Sequence, residues 1–139
     1  MTRKRSITLL ALPFICILST GQQMTFAAAS APSSAQLEAI EKKIEKDELS
    51  DEVYAELDSI ISKDPTNYRA HLYLGNCYAK LGLPESAIEE FKLATKYGPN
   101  QPKAFVELVK QQIRLGQIPA AIELLNEAKK KFPNDPEVL

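Results

Sequence analysis

The sequence predicts an all-α fold, a short right-handed α-solenoid of about three helical hairpins. Identical residues recur at an offset of 34, a period typical of stacked repeats that contain two helices each. Apolar residues within the units are spaced by three and four, as on one face of a helix. No segment alternates as a strand would. The matching pairs are Leu74 and Leu108, Gly82 and Gly116, Ala87 and Ala121, Ala94 and Ala128, Pro99 and Pro133, and Asn100 and Asn134.

The first 29 residues have the features of a secretory signal peptide. A basic start at residues 3–5 precedes a charge-free apolar run at 7–18, and small residues at 27–29 offer a cleavage site. The apolar run has 12 residues and contains Pro13, whereas a membrane-spanning helix needs about 20. We therefore expect cleavage and export, with an uncleaved membrane anchor as the alternative. Residues 30–34 then form a short linker.

Composition argues against several classes of function. Without residues 1–29 the chain keeps 14 basic and 18 acidic side chains, a net charge of −4 that favours neither nucleic acid nor a membrane surface. One histidine and one remaining cysteine, Cys77, leave no internal disulfide and no histidine-based site. No phosphate loop, zinc spacing or nucleophile motif is present. We expect no catalysis, no metal and no cofactor.

Turn signals divide residues 35–135 into three units, about 34–67, 68–101 and 102–135, before a truncated tail at 136–139. The first unit is degenerate. Its first helix breaks between Asp47 and Ser50, Ser50 is a fair N-cap for the second helix, and Pro65 ends that helix. Its two apolar faces consist of Leu37, Ile40 and Ile44, then Val53, Leu57, Ile60 and Ile61.

The middle and third units follow one pattern. Gly82 and Gly116 end the first helix of each in a left-handed conformation, and Pro84 and Pro119 begin the second. The apolar helix faces of the middle unit consist of Leu72, Leu74, Cys77, Tyr78 and Leu81, then Ala87, Ile88, Phe91 and Ala94. Those of the third unit consist of Phe105, Val106, Leu108, Val109, Ile113 and Leu115, then Ile122, Leu125 and Ala128.

Small residues are expected where the two helices of the middle hairpin cross. Helices that approach to about 8–10 Å need small side chains at the crossing. Gly75 and Ala87 have that role, while Tyr78 and Phe91 fill the space beside them. The sequence thus predicts a close contact between the two helices at Gly75.

The stretch from Tyr68 to Asn100 resembles the tetratricopeptide repeat (TPR). The family's pattern of large, small, aromatic and proline positions is met by His71, Leu74, Gly75, Tyr78, Ala87, Phe91, Ala94 and Pro99. The third unit matches at Phe105, Leu108, Ala121, Leu125, Ala128 and Pro133, with Val109 and Gln112 as departures. The resemblance covers about 100 residues and implies a stack of helical hairpins that binds proteins or peptides.

The resemblance also implies a binding groove, because the first helix of each TPR hairpin lines the concave side. The groove residues that follow from this are Arg69, Leu72, Tyr73, Asn76 and Lys80 in the middle unit, and Lys103, Val106, Lys110, Ile113 and Arg114 in the third. Glu38, Lys42, Glu45, Lys46 and Glu107 are further inner positions. Together they carry an excess of four positive charges, which favours an extended or helical peptide that carries carboxylates.

Other singled-out residues have structural interpretations. His71 is expected to pack between helices or at their rim, and Cys77 to be a buried small apolar residue. The carboxylate clamp of chaperone-binding TPR domains is poorly matched, because Tyr73 and Glu107 occupy two of its positions while Lys103 agrees. Docking of cytosolic chaperone tails is therefore not implied.

The C-terminal end of the array is expected to be open. Pro136 would begin a fourth unit, and Ile118, Ile122 and Leu125 of the last helix would face water or the tail. Three explanations stay open. Val138 and Leu139 fold back, the end docks on another protein or on a second copy, or the chain is a relic of a longer array.

These observations lead to one functional interpretation and one alternative. The chain is interpreted as a non-enzymatic interaction module, an adaptor or assembly factor exported to the cell envelope, in the periplasm or outside the cell. It would bind a protein or peptide partner, with self-association through the last helix as a further possibility. The alternative is a membrane-anchored structural role, in which the uncleaved N-terminal segment displays the repeats.

Overall fold

The computed structural model describes residues 34–138, and within that range it contains six α-helices and no strand. The helices are α1 (Ser34–Glu45), α2 (Asp51–Lys63), α3 (Tyr68–Lys80), α4 (Pro84–Tyr97), α5 (Pro102–Arg114) and α6 (Ile118–Lys131). The expected all-α repeat solenoid is confirmed. The predicted signal peptide at 1–29, linker residues 30–33 and Leu139 lie outside the described residues.

The helices stack in chain order. Each of the helices from α3 to α6 packs against the one before it, and α3 also contacts α1. The pairing of α3 with α4 is the most extensive, whereas α1 and α2 approach each other less closely. One continuous buried cluster runs from Leu37 in α1 to Leu108 in α5, so the hairpins share a core.

The turns inside the three hairpins share one backbone feature, a residue with positive φ after the first helix. Gly82 and Gly116 have φ angles of 74° and 70°, and Asp47 takes the equivalent place with φ 63°. After each of them, a backbone N–H donates back across the helix end, as Leu83 N does to Tyr78 O at 2.9 Å. Such left-handed ends satisfy the last carbonyl groups of a helix. The turn in the first hairpin is longer, with five residues between helices instead of three.

The crossing of α3 and α4 confirms the small-residue prediction. A β-carbon added to Gly75 would lie 2.6 Å from Cε1 of Phe91, which is closer than carbon atoms approach in proteins. Ala87 and Phe91 are fully buried on the facing side. A second close contact joins the ends of the same hairpin, because a β-carbon on Gly98 would lie 2.6 Å from Cγ of Tyr68.

Helix starts follow the sequence signals with small differences. Pro84 is the first residue of α4, as expected, whereas Pro119 is the second residue of α6. Ser50 has the extended backbone of an N-cap, but its side chain makes no capping hydrogen bond. Asn67 caps α3 by accepting from Ala70 N at 3.2 Å, a cap that was not among the sequence predictions.

The tail after α6 folds back onto the last hairpin. Val138 is 2% exposed and packs in a cluster with Phe105 and Ala128, which Phe132 covers from the side. Of the three explanations for the open end, the folding back of Val138 is confirmed. Ile118 and Ile122 of α6 nevertheless stay about half exposed.

Candidate functional site

The first helices of the three hairpins, α1, α3 and α5, share one surface, which we call the first-helix face. Hydrogen bonds join side chains from all three helices there. Tyr73 of α3 donates from its hydroxyl to Glu41 Oε2 of α1 at 2.7 Å, and Lys103 of α5 donates to Glu41 Oε1 at 3.0 Å. The face therefore behaves as one polar network and not as three separate helix surfaces.

Glu41 is the centre of that network. Its burial alone would raise the pKa of the carboxyl group, but the hydrogen bonds from Tyr73 and Lys103, with the nearby charge of Arg69, outweigh burial and lower the pKa from its ordinary value. Glu41 is thus held in its ionised form and accepts with both oxygens.

Tyr73 and Arg69 complete the network on α3. Burial, together with the neighbouring Glu41 carboxylate, raises the pKa of Tyr73 to about 12, so its hydroxyl keeps its proton and remains a donor. Arg69 donates to the same hydroxyl at 3.0 Å, and its guanidinium carbon lies 5.7 Å from the centre of the Tyr73 ring. The Tyr73 hydroxyl is therefore fixed by one donor and one acceptor.

The residues predicted to line a groove differ in exposure. Leu72 and Tyr73 are 5% and 3% exposed, so their side chains belong to the core and offer a ligand almost no surface. Arg69, Asn76 and Val106 are half-buried. The exposed members are Lys80, Lys103, Lys110, Ile113 and Arg114.

The exposed cations of the face already have partners. Lys80 lies 2.9 Å from Asp47, and Lys110 lies 2.8 Å from Glu107 one turn earlier in its own helix. Arg114 donates to the backbone oxygen of Ala79 at 3.1 Å. Surface pairs of this kind contribute only about 0–1 kcal/mol, so an anionic ligand can replace them at little cost.

Two acidic residues of the face were missed by sequence reasoning. Glu41 and Asp47 both lie in the degenerate first unit, next to the inner positions Lys42 and Lys46 that were expected there. Their presence lowers the positive excess of the face from four to two. The offset of 34 aligns Glu48, not Asp47, with the turn glycines, so the left-handed conformation of Asp47 is visible only in the structure.

His71 is a packing residue with two polar contacts. It is 4% exposed; its Nδ1 lies 2.8 Å from Glu90 Oε2 and its Nε2 lies 3.0 Å from Pro65 O. Since a carbonyl oxygen can only accept, Nε2 carries a hydrogen. The imidazole ring lies beside Tyr97, with 5.7 Å between ring centres. His71 thus joins α3 to α4 and to the preceding loop, which agrees with the expected packing role.

Cys77 lies in the core, away from any reactive setting. It is fully buried, and burial raises the pKa of its thiol to about 11, although the charge of Lys80 opposes part of that rise. A nucleophilic thiol would need exposure and a lowered pKa. The expected role as a small apolar residue fits this environment.

Metal-binding clusters and membrane-spanning helices are not found among the described residues. In the range 34–138, no group of three or more His, Cys, Asp or Glu side chains is placed to hold a metal ion. No helix among these residues is long and apolar enough to cross a membrane.

Comparison with known protein families agrees with this architecture. The profile described as tetratricopeptide repeat matches residues 50–105 and again residues 85–139, which together include α2 to α6. A search of curated proteins finds no match. Tetratricopeptide repeats generally mediate protein–protein interactions. With two overlapping matches over well more than half of its length, the chain belongs to the tetratricopeptide repeat family.

Proposed function

We propose that this protein is an exported, non-enzymatic TPR scaffold that binds an acidic segment of a partner protein on its first-helix face. The observation that carries the proposal is the exposed row of cations on α5. The side chains of Lys103 and Lys110 are 46% and 58% exposed, and Arg114 continues the row one turn later. An otherwise acidic protein that concentrates cations on one helix is suited to a partner that carries carboxylates.

The same row has apolar neighbours. Val106 is half-buried and Ile113 is 52% exposed, and both lie on α5 beside the cations. A bound segment would therefore gain both ion pairs and some apolar contact. The ion pairs give direction and association rate, and the apolar contacts lengthen the lifetime of the complex.

Pull-down from an envelope extract tests the proposed face. Lys110→Glu together with Arg114→Glu reverses two cations without touching Lys103, whose bond to Glu41 supports the fold. The matched control is Lys129→Glu with Lys130→Glu, which makes the same change of charge on exposed positions of α6. We expect the α5 variant to lose its partners and the α6 variant to retain them. Equal capture by both variants would overturn the proposal.

Export through a cleaved signal peptide is the second part of the proposal. It rests on the basic start and the short apolar run of residues 1–29. The alternative is a membrane-anchored protein that displays its repeats through the uncleaved segment. Mass spectrometry of the mature N-terminus separates the two. A chain that starts near Ser30 in the periplasm or the medium supports export of a free protein, and a chain that starts at Met1 in the membrane fraction supports the anchor.

A further inference from the structure

Two donors and a cation from α3 and α5 lie around one carboxylate of the first-helix face, that of Glu41. The Tyr73 hydroxyl donates to it at 2.7 Å and Lys103 Nζ at 3.0 Å, and the charge of Arg69 is close enough to stabilise the ionised form. Charge-assisted hydrogen bonds of this kind are the ones by which proteins recognise carboxylates. The donors come from two hairpins, and the carboxylate comes from a third.

Arg69 has donors to spare at this position. Among the described residues it makes one hydrogen bond, to the neutral Tyr73 hydroxyl at 3.0 Å. A guanidinium group carries five N–H donors and binds a carboxylate best through two of them at once. An incoming carboxylate would therefore find in Arg69 a partner to which no carboxylate of the described residues is hydrogen-bonded.

The Glu41 side chain can leave its position while α1 stays in place. It is 30% exposed, so water already reaches it. The apolar residues that hold α1 on the core, Leu37, Ile40 and Ile44, are at most 4% exposed. Rotamer changes of partly exposed side chains are fast and are common where proteins bind each other. Rotation of one side chain is thus enough to release Lys103.

The other cations of α5 are held differently. Lys110 pairs with Glu107 of its own helix, and Arg114 donates to Ala79 O and to Gln111 Oε1. Among the described residues, Lys103 is the α5 cation that pairs with an acidic residue of another helix. Any influence of the first hairpin on the cationic row of α5 therefore acts through Lys103.

We propose that Glu41 is an internal competitor for the carboxylates of the partner, which must replace Glu41 to engage Lys103 and Arg69. This inference rests on the proposed function of the face and adds how that face is regulated. Because Glu41 is tethered beside Lys103, its effective concentration there is high, and a single partner carboxylate competes with it poorly. A segment with several carboxylates displaces it. The degenerate first unit thus selects for strongly acidic partners.

Peptide binding to the full-length protein tests the exchange. The probe is a rhodamine-labelled peptide of alternating alanine and glutamate with blocked ends, and fluorescence anisotropy measures its Kd. We expect Glu41→Gln to bind this probe about tenfold more tightly than the wild type, because an ion-paired carboxylate no longer competes. If Glu41 only supports the fold, its loss should leave binding unchanged or weaken it, so the two roles differ in the sign of the effect.

Three further variants and a neutral probe serve as controls. Glu38→Gln makes the same change of charge one turn earlier on α1, at an exposed position, and should leave the affinity unchanged. Glu41→Ala should reproduce the gain, and Lys103→Gln added to Glu41→Gln should remove it. A peptide of alternating alanine and glutamine should bind no variant more tightly than the wild type. Melting curves confirm that each variant is folded during the measurement.

Several results would overturn the inference. Equal affinity of the wild type and Glu41→Gln for the acidic probe would do so and would leave the cationic row of the proposed function intact. The same conclusion would follow from an equal gain for Glu38→Gln, or from a gain that survives Lys103→Gln.

Absence of binding of the acidic probe to every variant at millimolar concentration would overturn the inference together with the preference for acidic partners. The envelope pull-down depends on Lys110 and Arg114, whereas the peptide measurement compares variants of Glu41. A failure of the internal competition is therefore distinct from a failure of the proposed face.

Discussion

Gly75 and the ring of Phe91 are in contact at the crossing of α3 and α4, where a β-carbon on Gly75 would lie 2.6 Å from Phe91 Cε1. Alanine normally stabilises a helix relative to glycine by about 1 kcal/mol. Here we expect Gly75→Ala to destabilise the protein by about 1–3 kcal/mol, and Gly75→Leu by more, because the buried ring cannot move away without strain. Urea denaturation measures the change, and the exposed Lys92→Leu, on α4, is the control that should have little effect.

At the equivalent crossing in the third unit, the sizes of the two facing residues are exchanged. One repeat later, Val109 takes the place of Gly75 and Leu125 the place of Phe91, so a larger residue faces a smaller one. The double variant Gly75→Val with Phe91→Leu should therefore lose less stability than the two single changes added together. Strict additivity would show that the two positions do not share space.

Gly82 is required for a different reason, its left-handed backbone. Its φ is 74°, and nothing lies within 4 Å of an added β-carbon, so the cost of Gly82→Ala comes from the backbone alone. We expect a loss of about 1 kcal/mol for alanine. Gly82→Asn should cost less, because asparagine tolerates this conformation better. An equal loss for the two variants in urea denaturation would contradict this account.

Tyr73 and Tyr54 differ in the hydrogen bonding of their hydroxyl groups. The Tyr73 hydroxyl has two side-chain partners, whereas the buried Tyr54 hydroxyl has no hydrogen-bond partner among the described residues. Tyr73→Phe should cost about 1–2 kcal/mol, since Glu41 loses a donor and Arg69 an acceptor. Tyr54→Phe should be neutral or stabilising. Thermal melts of both variants check the prediction, and a larger loss for Tyr54→Phe would contradict it.

Glu41 should make stability depend on pH in the acid range. Its pKa in the folded protein is lowered from its ordinary value, so its contribution is complete above the unfolded-state pKa and is lost as the pH falls through the folded-state pKa. Glu41→Gln should therefore destabilise the protein at neutral pH, and the difference from wild type should shrink at about pH 3. Denaturant titrations at both pH values measure it, with Glu38→Gln on the exposed side of α1 as the control. A difference that does not change with pH would exclude the ionised carboxylate as its source.

Cys77 should be inert toward thiol reagents while the protein is folded. Burial raises its pKa to about 11, so little thiolate exists at neutral pH and the sulfur is shielded. In a Cys16→Ser background, we expect no labelling of the native protein at about pH 8 and complete labelling in concentrated urea. Rapid native labelling would restore Cys77 as a candidate reactive group.

Local signals predict most of this fold. The period of 34, the turn glycines and the helix-starting prolines Pro84 and Pro119 are visible in the sequence alone, so they can be recognised without knowing the tertiary structure. The contact between Gly75 and Phe91 could also be foreseen, because both positions belong to one repeat pattern. These features follow from short-range geometry.

The polar network of the face could not be foreseen in the same way. Glu41 meets Tyr73 and Lys103 across separations of 32 and 62 residues, and such pairs depend on how successive hairpins are set against each other. The burial of Leu72 and Tyr73 also depends on how the hairpins pack. A sequence pattern places a residue on one side of a helix but does not give its solvent exposure. The exposure of Ile118 and Ile122, by contrast, was expected from the sequence.

The bond between Glu41 and Lys103 has a consequence for how the array comes apart. Linear repeat proteins are commonly described by intrinsic stabilities and nearest-neighbour interfaces alone. Here a carboxylate of the first hairpin reaches past the second and holds the third. Fraying of α1 therefore removes a hydrogen-bond partner of Lys103 in α5 directly. Replacing Glu41 should therefore change hydrogen exchange in α5. A repeat protein in which only neighbouring repeats interact would show no such change.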